Sequence, residues 1–248
     1  MKRPHDPGGC SSPITETTPD NPSPFKHTMN RGFTTDTYEV SYHGYAHSHM
    51  DALCHILYKD QTYNGHARNE VLTEKGCTQL SVDNLRNGVV TRGVLIDVAA
   101  LKGVAQLEGG YEISVADINA ALAREKVEIH AGDVVIFHTG WGSLWGKDNA
   151  KFNSGAPGPG LAAAQYLIDK KVVMVGADTW SMEVIPNPNK DLQFPVHQQL
   201  IPRSGIYIFE NLLTEDLARD RAYEFAFFFA PLRLKGATGS PGNPLAIR

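Results

Sequence analysis

Cysteine is scarce in this chain. Cys10, Cys54 and Cys77 are spread over 248 residues and none belongs to a Cys-x-x-Cys pair. So sparse and odd a set argues against a disulfide framework and fits a reducing compartment. Long apolar runs are lacking as well: nothing approaches the roughly 18–20 residues needed to span a bilayer. The first residues, Met1-Lys2-Arg3-Pro4-His5-Asp6, carry no apolar stretch of the secretory kind. A cytoplasmic protein without a membrane partner is therefore expected. Charge of one sign is also missing. A net charge of −4 provides no broad basic field, which argues against nucleic acid as a partner.

What is present is ordinary for a globular chain: 42% hydrophobic and 20% charged residues. The length suffices to bury one large core. Residues 1–30, rich in Pro, Ser, Thr, Gly and Asp, read as an extended or partly disordered lead-in. Residues 31–248 read as a single domain. Gly93–Val98, Asp133–His138, Val172–Val175 and Gly205–Glu210 are strand-like apolar runs, and Tyr223–Leu234 is a further one. Ser114-Val115-Ala116-Asp117 is a capping box with Asp in place of Glu, opening a helix to about Arg124. A second amphipathic helix is expected from Gly160 to Lys170. Strands and helices alternate in the middle and strands dominate the end, which predicts an α/β domain with a mixed sheet.

Five of the ten histidines fall between positions 43 and 66: His43, His47, His49, His55 and His66. If residues 46–51 are extended, His47, His49 and Asp51 share one face. Two imidazoles and a carboxylate on one face suit zinc, manganese or iron(II) and leave positions open for water and substrate. His55 follows Asp51 by four residues. A helical turn there stacks the two, so that His55 could share a second ion through Asp51 or orient water. Cys54, inside this cluster, is expected to be a small buried filler rather than a catalytic thiol. Far downstream, Glu210 shares a strand face with Ile206 and Ile208. A carboxylate there needs a metal or a histidine as partner, and His197 precedes it by thirteen residues.

These residues resemble a known signature. The run His43-Gly44-Tyr45-Ala46-His47-Ser48-His49-Met50-Asp51-Ala52-Leu53-Cys54-His55 is similar to that of the cyclase-like metal-dependent hydrolases, which include bacterial kynurenine formamidase and isatin hydrolase. Their common signature reads H-x-G-T-H-x-D-x-P-x-H. Gly132-Asp133-Val134-Val135 leading to Thr139-Gly140-Trp141, Gly176-Ala177-Asp178-Thr179, and His197 followed by Ile208-Phe209-Glu210-Asn211-Leu212 extend the likeness, which runs from about Asn21 to Arg248. The chain departs from the signature at Tyr45, where a histidine is usual, at His47 in place of glycine, and at Leu53 in place of proline. His47 is expected to replace the lost ligand, with His43 as the other substitute.

The resemblance implies a swivelling β/β/α-type fold, usually in homo-oligomers such as a dimer or tetramer. It implies one or two divalent ions, manganese or zinc, with iron(II) also compatible. His47, His49 and Asp51 would form a first site. Asp51, His55 and Glu210 would form a second, with His197 as ligand or proton carrier. The catalytic set would then be His55, His197 and Glu210. The implied chemistry is hydrolysis of an amide or cyclic amide, in an arylformamide- or isatin-like substrate. A bound ion lowers the pKa of water from 15.7 toward roughly 7, and His55 or His197 would carry the proton. Trp141, Trp145 and Trp180 are candidate walls for an aromatic small molecule, with ordinary core packing as their alternative; Phe33 and Tyr63 are lesser candidates. Asp178 stands after a strand end, where α/β proteins place functional groups; a structural hydrogen-bonding role is its alternative. His138 reads as structural. Two other functions compete: a lactonase or esterase on the same scaffold, and a metal-containing protein that binds a small ligand without turnover.

Overall fold

The structure, a computed structural model, describes residues 39–248 and the backbone of 25–30 and 33–38. The lead-in assigned to residues 1–30 lies outside the described residues up to position 24. Its end, Phe25–Asn30, is extended, a strand paired antiparallel with Phe33–Tyr38.

Eight strands form the main sheet, in the order Gly239–Pro241, His49–Asp51, Tyr207–Glu210, Met174–Ala177, Val134–His138, Val89–Asp97, Glu224–Phe229, Leu245–Ile247. The four inner strands are parallel, and the outer pairs on both sides are antiparallel. This is the mixed α/β sheet expected from the alternation of patterns. Parallel strands covered on both faces need apolar side chains in both directions, and all five residues of Val134–His138 are buried. One face packs Val94, Ile96, Val135, Phe137, Val175 and Ile208 against the helices Val115–Glu125, Leu161–Asp169 and Pro195–Ser204. The other packs Leu95, Ile136 and Phe209 against Met50, Phe225 and Phe227.

Local chemistry sets the element ends. Ser114 Oγ accepts from Asp117 N–H at 3.1 Å while Asp117 Oδ2 accepts from Ser114 N–H at 3.0 Å, a reciprocal cap of about 1 kcal/mol. The helix expected at 160–170 spans Leu161–Asp169. A left-handed turn at Lys171 then delays the next strand to Met174. The run expected to Leu234 stops at Phe229, because Pro231 has no N–H to continue a ladder.

The expectation about cysteine needs correction. Cys54 and Cys77 form a disulfide, with their Cα atoms 6.5 Å apart. The hairpin of Leu72–Thr73 and Gly76–Cys77 returns Cys77 to the core that holds Cys54. A spacing of 23 residues gives no hint of this. Cys54 is thus no free thiol, and the cytoplasmic expectation loses its cysteine argument. Among the described residues, no helix is long and apolar enough to cross a membrane.

Candidate metal centre

The parallel strands bring Asp97, His138 and Glu210 to their carboxyl ends, with Asp178 one residue past a fourth. This is the edge at which open α/β sheets bind ligands. The short strand His49–Asp51 lies beside Tyr207–Glu210, in a register that sets His49 opposite Glu210. Strand alternation sends Met50 into the core and leaves His49 and Asp51 together on the other face.

Four histidines surround Asp51. His43 Nδ1 is 2.9 Å from Asp51 Oδ1 and His49 Nε2 is 3.6 Å from it; His55 Nε2 and His197 Nε2 lie 3.9 and 3.8 Å from Oδ2. Glu210 joins through Oε2, 3.1 Å from His49 Nε2, and Oε1, 3.1 Å from His197 Nε2. Ligand-capable atoms converge in two groups, His49–Asp51–Glu210 and His43–Asp51–His55.

His47 belongs to neither group. Residues 43–47 are a series of bends and the strand begins only at His49, so the alternation expected from 46 onward does not apply. The carbonyl of His47 serves instead, accepting from His49 Nδ1 at 2.8 Å and from Asn211 Nδ2 at 3.1 Å. His43 holds the place beside Asp51 that was expected of His47.

The donor set fits a divalent cation. Both carboxylate oxygens of Asp51, with His49 Nε2 and His43 Nδ1, are buried without a hydrogen-bond partner among the described residues. Orphaned polar atoms are costly, and atoms that approach without bonding one another share a need for a common centre. Mixed imidazole and carboxylate donors suit zinc, manganese or iron(II). The electrostatics agree. Burial works against a charged His49, yet Glu210 and Asp51 hold its pKa up at about 8. The oxygens facing Nε2 demand positive charge there, from a proton or a cation. Burial opposes the charge of Asp51 too, but His55, His43 and His49 hold its carboxyl well below the usual range. Burial pushes His55 down to about 4.

Several supporting residues were not legible in the sequence. His43 Nε2 is 2.9 Å from Thr238 Oγ1, and Tyr42 donates its hydroxyl to the Gly239 carbonyl. A Cβ at Gly239 would collide with the Met50 carbonyl oxygen and lie 3.0 Å from His43 Cε1; the absent side chain makes the room for the His43 ring. Asn211, in the left-handed region at φ 54°, donates from Nδ2 to the Gly44 and His47 carbonyls and from its N–H to Thr179 O. Ser48 Oγ donates to its carbonyl. Asn211 thereby ties the histidine loop to the strand end that carries Glu210. Glu183, fully buried, lies against His197. No local motif marks Glu183 or Thr238; Asn211 had only its place after Glu210.

The proposed pocket residues divide. Trp141 is 1% exposed, with its indole N–H donated to Phe152 O, and is part of the core. Asp178 accepts from the Thr139 and Gly140 N–H groups and from the Thr139 hydroxyl, the structural alternative weighed for it. His138 hydrogen-bonds Thr214 at 2.7 Å. Trp180 is partly exposed, and its ring lies 4.6 Å from that of Tyr45. Trp145 is 46% exposed. Tyr63 packs against the core, and the side chain of Phe33 lies outside the described residues.

Comparison with known proteins agrees with this geometry. The family model Cyclase, described as "Putative cyclase", matches residues 10–184. A curated relative, isatin hydrolase of Roseibium aggregatum, is 30% identical over 137 residues. That alignment takes in 53% of this chain and 51% of the relative, so the chain matches about half of that protein's length. Among solved structures, a novel cyclase aligns with a TM-score of 0.78 at 32% identity, covering 87% of this chain and 71% of that one. An isatin hydrolase bound to the product analogue thioisatinate aligns with a TM-score of 0.65 at 25% identity, covering 94% and 79%.

Proposed function

Because the chain belongs to the Cyclase family, we propose that it is a metal-dependent hydrolase that cleaves the amide or cyclic amide bond of a small, ring-bearing molecule. The observation that carries this reading is Asp51. Its two buried oxygens lack hydrogen-bond partners among the described residues, and ligand groups of opposite composition meet on it. His49, Asp51 and Glu210 would hold a divalent cation, manganese or zinc in the first place. His43 and His55, sharing Asp51, offer a second position. A cation bound there polarises a carbonyl and acidifies water.

The side chains around it supply the rest. His55 is 25% exposed against 5% for His197, so it is open to a substrate. His43 is equally open, but its Nε2 is taken by Thr238 and its Nδ1 faces Asp51 as a ligand atom. Held near 4 by burial, His55 is a neutral base at pH 7. With an ion at His49, Asp51 and Glu210 alone and the second position unfilled, it would take a proton from the attacking water at Nε2 and return it to the leaving nitrogen. Trp180, its indole N–H fixed by the Phe152 and Gly155 carbonyls, and Tyr45, its ring tilted 55° to the indole, offer aromatic faces for a ring-bearing substrate. The relative named isatin hydrolase directs the first substrate choice to isatin-like cyclic amides.

The test is to strip the protein with a chelator, restore manganese(II) or zinc(II) singly, and assay isatin, N-formylanilines and lactones. Hydrolysis of a cyclic amide or formamide that depends on the restored ion is expected. Full activity in the stripped protein, or turnover of lactones alone, would overturn the reading.

A further inference from the structure

Glu183 lies outside the ligand groups, yet it is completely buried. Its partners are specific. The helix Pro195–Ser204 begins with a proline, which has no N–H, and the next two N–H groups both go to Glu183: Val196 to Oε2 at 3.1 Å, His197 to Oε1 at 2.9 Å. The same Oε1 is 2.6 Å from His197 Nδ1. One carboxylate thus satisfies the free end of the helix, where the dipole favours negative charge, and grips the imidazole that the first turn carries.

The grip determines which nitrogen faces the cluster. Carboxylate oxygens only accept, so Nδ1 must carry the hydrogen, and a neutral ring then has its lone pair on Nε2. Nε2 points to Glu210 Oε1 at 3.1 Å and Asp51 Oδ2 at 3.8 Å. An ion among the three satisfies all of them; without one, a proton on Nε2, donated to Glu210, does so. We propose that Glu183 is a positioning residue that sets the tautomer and orientation of His197 so that Nε2 is presented to the cation held at Asp51 and Glu210. This inference rests on the metal-site reading above.

Carboxylates that hold a ligand histidine typically govern metal affinity by 10–100-fold. The experiment is a double-mutant cycle on metal-stripped full-length protein, titrated with manganese(II) alone by calorimetry. Glu183→Gln keeps the size of the side chain but offers an amide N–H to the ring and the helix end. It is expected to weaken manganese binding by about 10–100-fold. In a His197→Ala background the same substitution is expected to change affinity by less than about threefold, because its target is gone. A merely structural effect would persist in that background. Unchanged affinity in Glu183→Gln, or a full loss that survives removal of His197, overturns the proposal and leaves the metal site standing. A wild-type protein that binds no manganese, nor zinc in a parallel titration, overturns both. Should Glu183→Gln not fold, Glu183→Asp enters the same cycle: its shorter side chain withdraws the acceptor from Nδ1, with the same expected losses and the same refuting results.

Discussion

His43 Nδ1 lies 2.9 Å from Asp51 Oδ1, while His47, closer to Asp51 in sequence, gives the cluster only its backbone carbonyl. The two histidines therefore separate by experiment. His43→Ala is expected to lower the affinity for manganese(II) by roughly tenfold or more, and His47→Ala to leave it within about threefold. Calorimetric titration of the two stripped variants checks this. Equal losses would return His47 to the ligand set.

Gly239 is required by the room His43 occupies. Gly239→Ala places a Cβ against the Met50 carbonyl and the His43 ring. Overpacking of this kind costs about 1–3 kcal/mol, to be read from urea denaturation of the metal-free protein. Metal affinity is expected to fall as well, because the ring that must yield is that of His43. Wild-type affinity in a destabilised variant would mean that the ring can shift without consequence.

Glu125 gives the molecule a pH-dependent stability unrelated to the metal centre. Burial raises its carboxyl from 4.5 to about 7; the Asp97 N–H, bonded to Oε1, works against the rise, and the Asp97 carboxylate adds to it. A raised pKa means that the folded state holds the proton more tightly than the unfolded chain. The contribution is complete below pH 4.5 and is lost as the pH rises through 7. Glu125→Gln mimics the protonated side chain. It is expected to exceed wild type in stability by about 1–3 kcal/mol at pH 8, with most of that advantage gone at pH 5. Chemical denaturation at the two pH values decides; an equal difference at both would contradict the assignment.

The sequence disclosed what is local. The Ser114–Asp117 box and the apolar runs at 133–138 and 205–210 are short-range signals, and each became the element expected. His49 and Asp51 are two residues apart on a strand, so their common face could be read from alternation. His47 failed the same test because its backbone bends before the strand starts. His43 reaches Asp51 only with the help of Thr238 and Gly239, nearly two hundred positions later, a contact created by sheet order. Glu183 was hidden for a similar reason: its role depends on the start of the Pro195–Ser204 helix, which carries its own ligand-type histidine. The disulfide likewise follows from the packing of a hairpin.

The central claim is that the Asp51 cluster holds a divalent metal. Elemental analysis of wild type and Asp51→Asn, both purified without added metal and both checked for folding, tests it most directly. Wild type is expected to retain stoichiometric manganese, zinc or iron, and the folded Asp51→Asn variant to lose it. Folded Asp51→Asn carrying the wild-type amount of metal would contradict the claim.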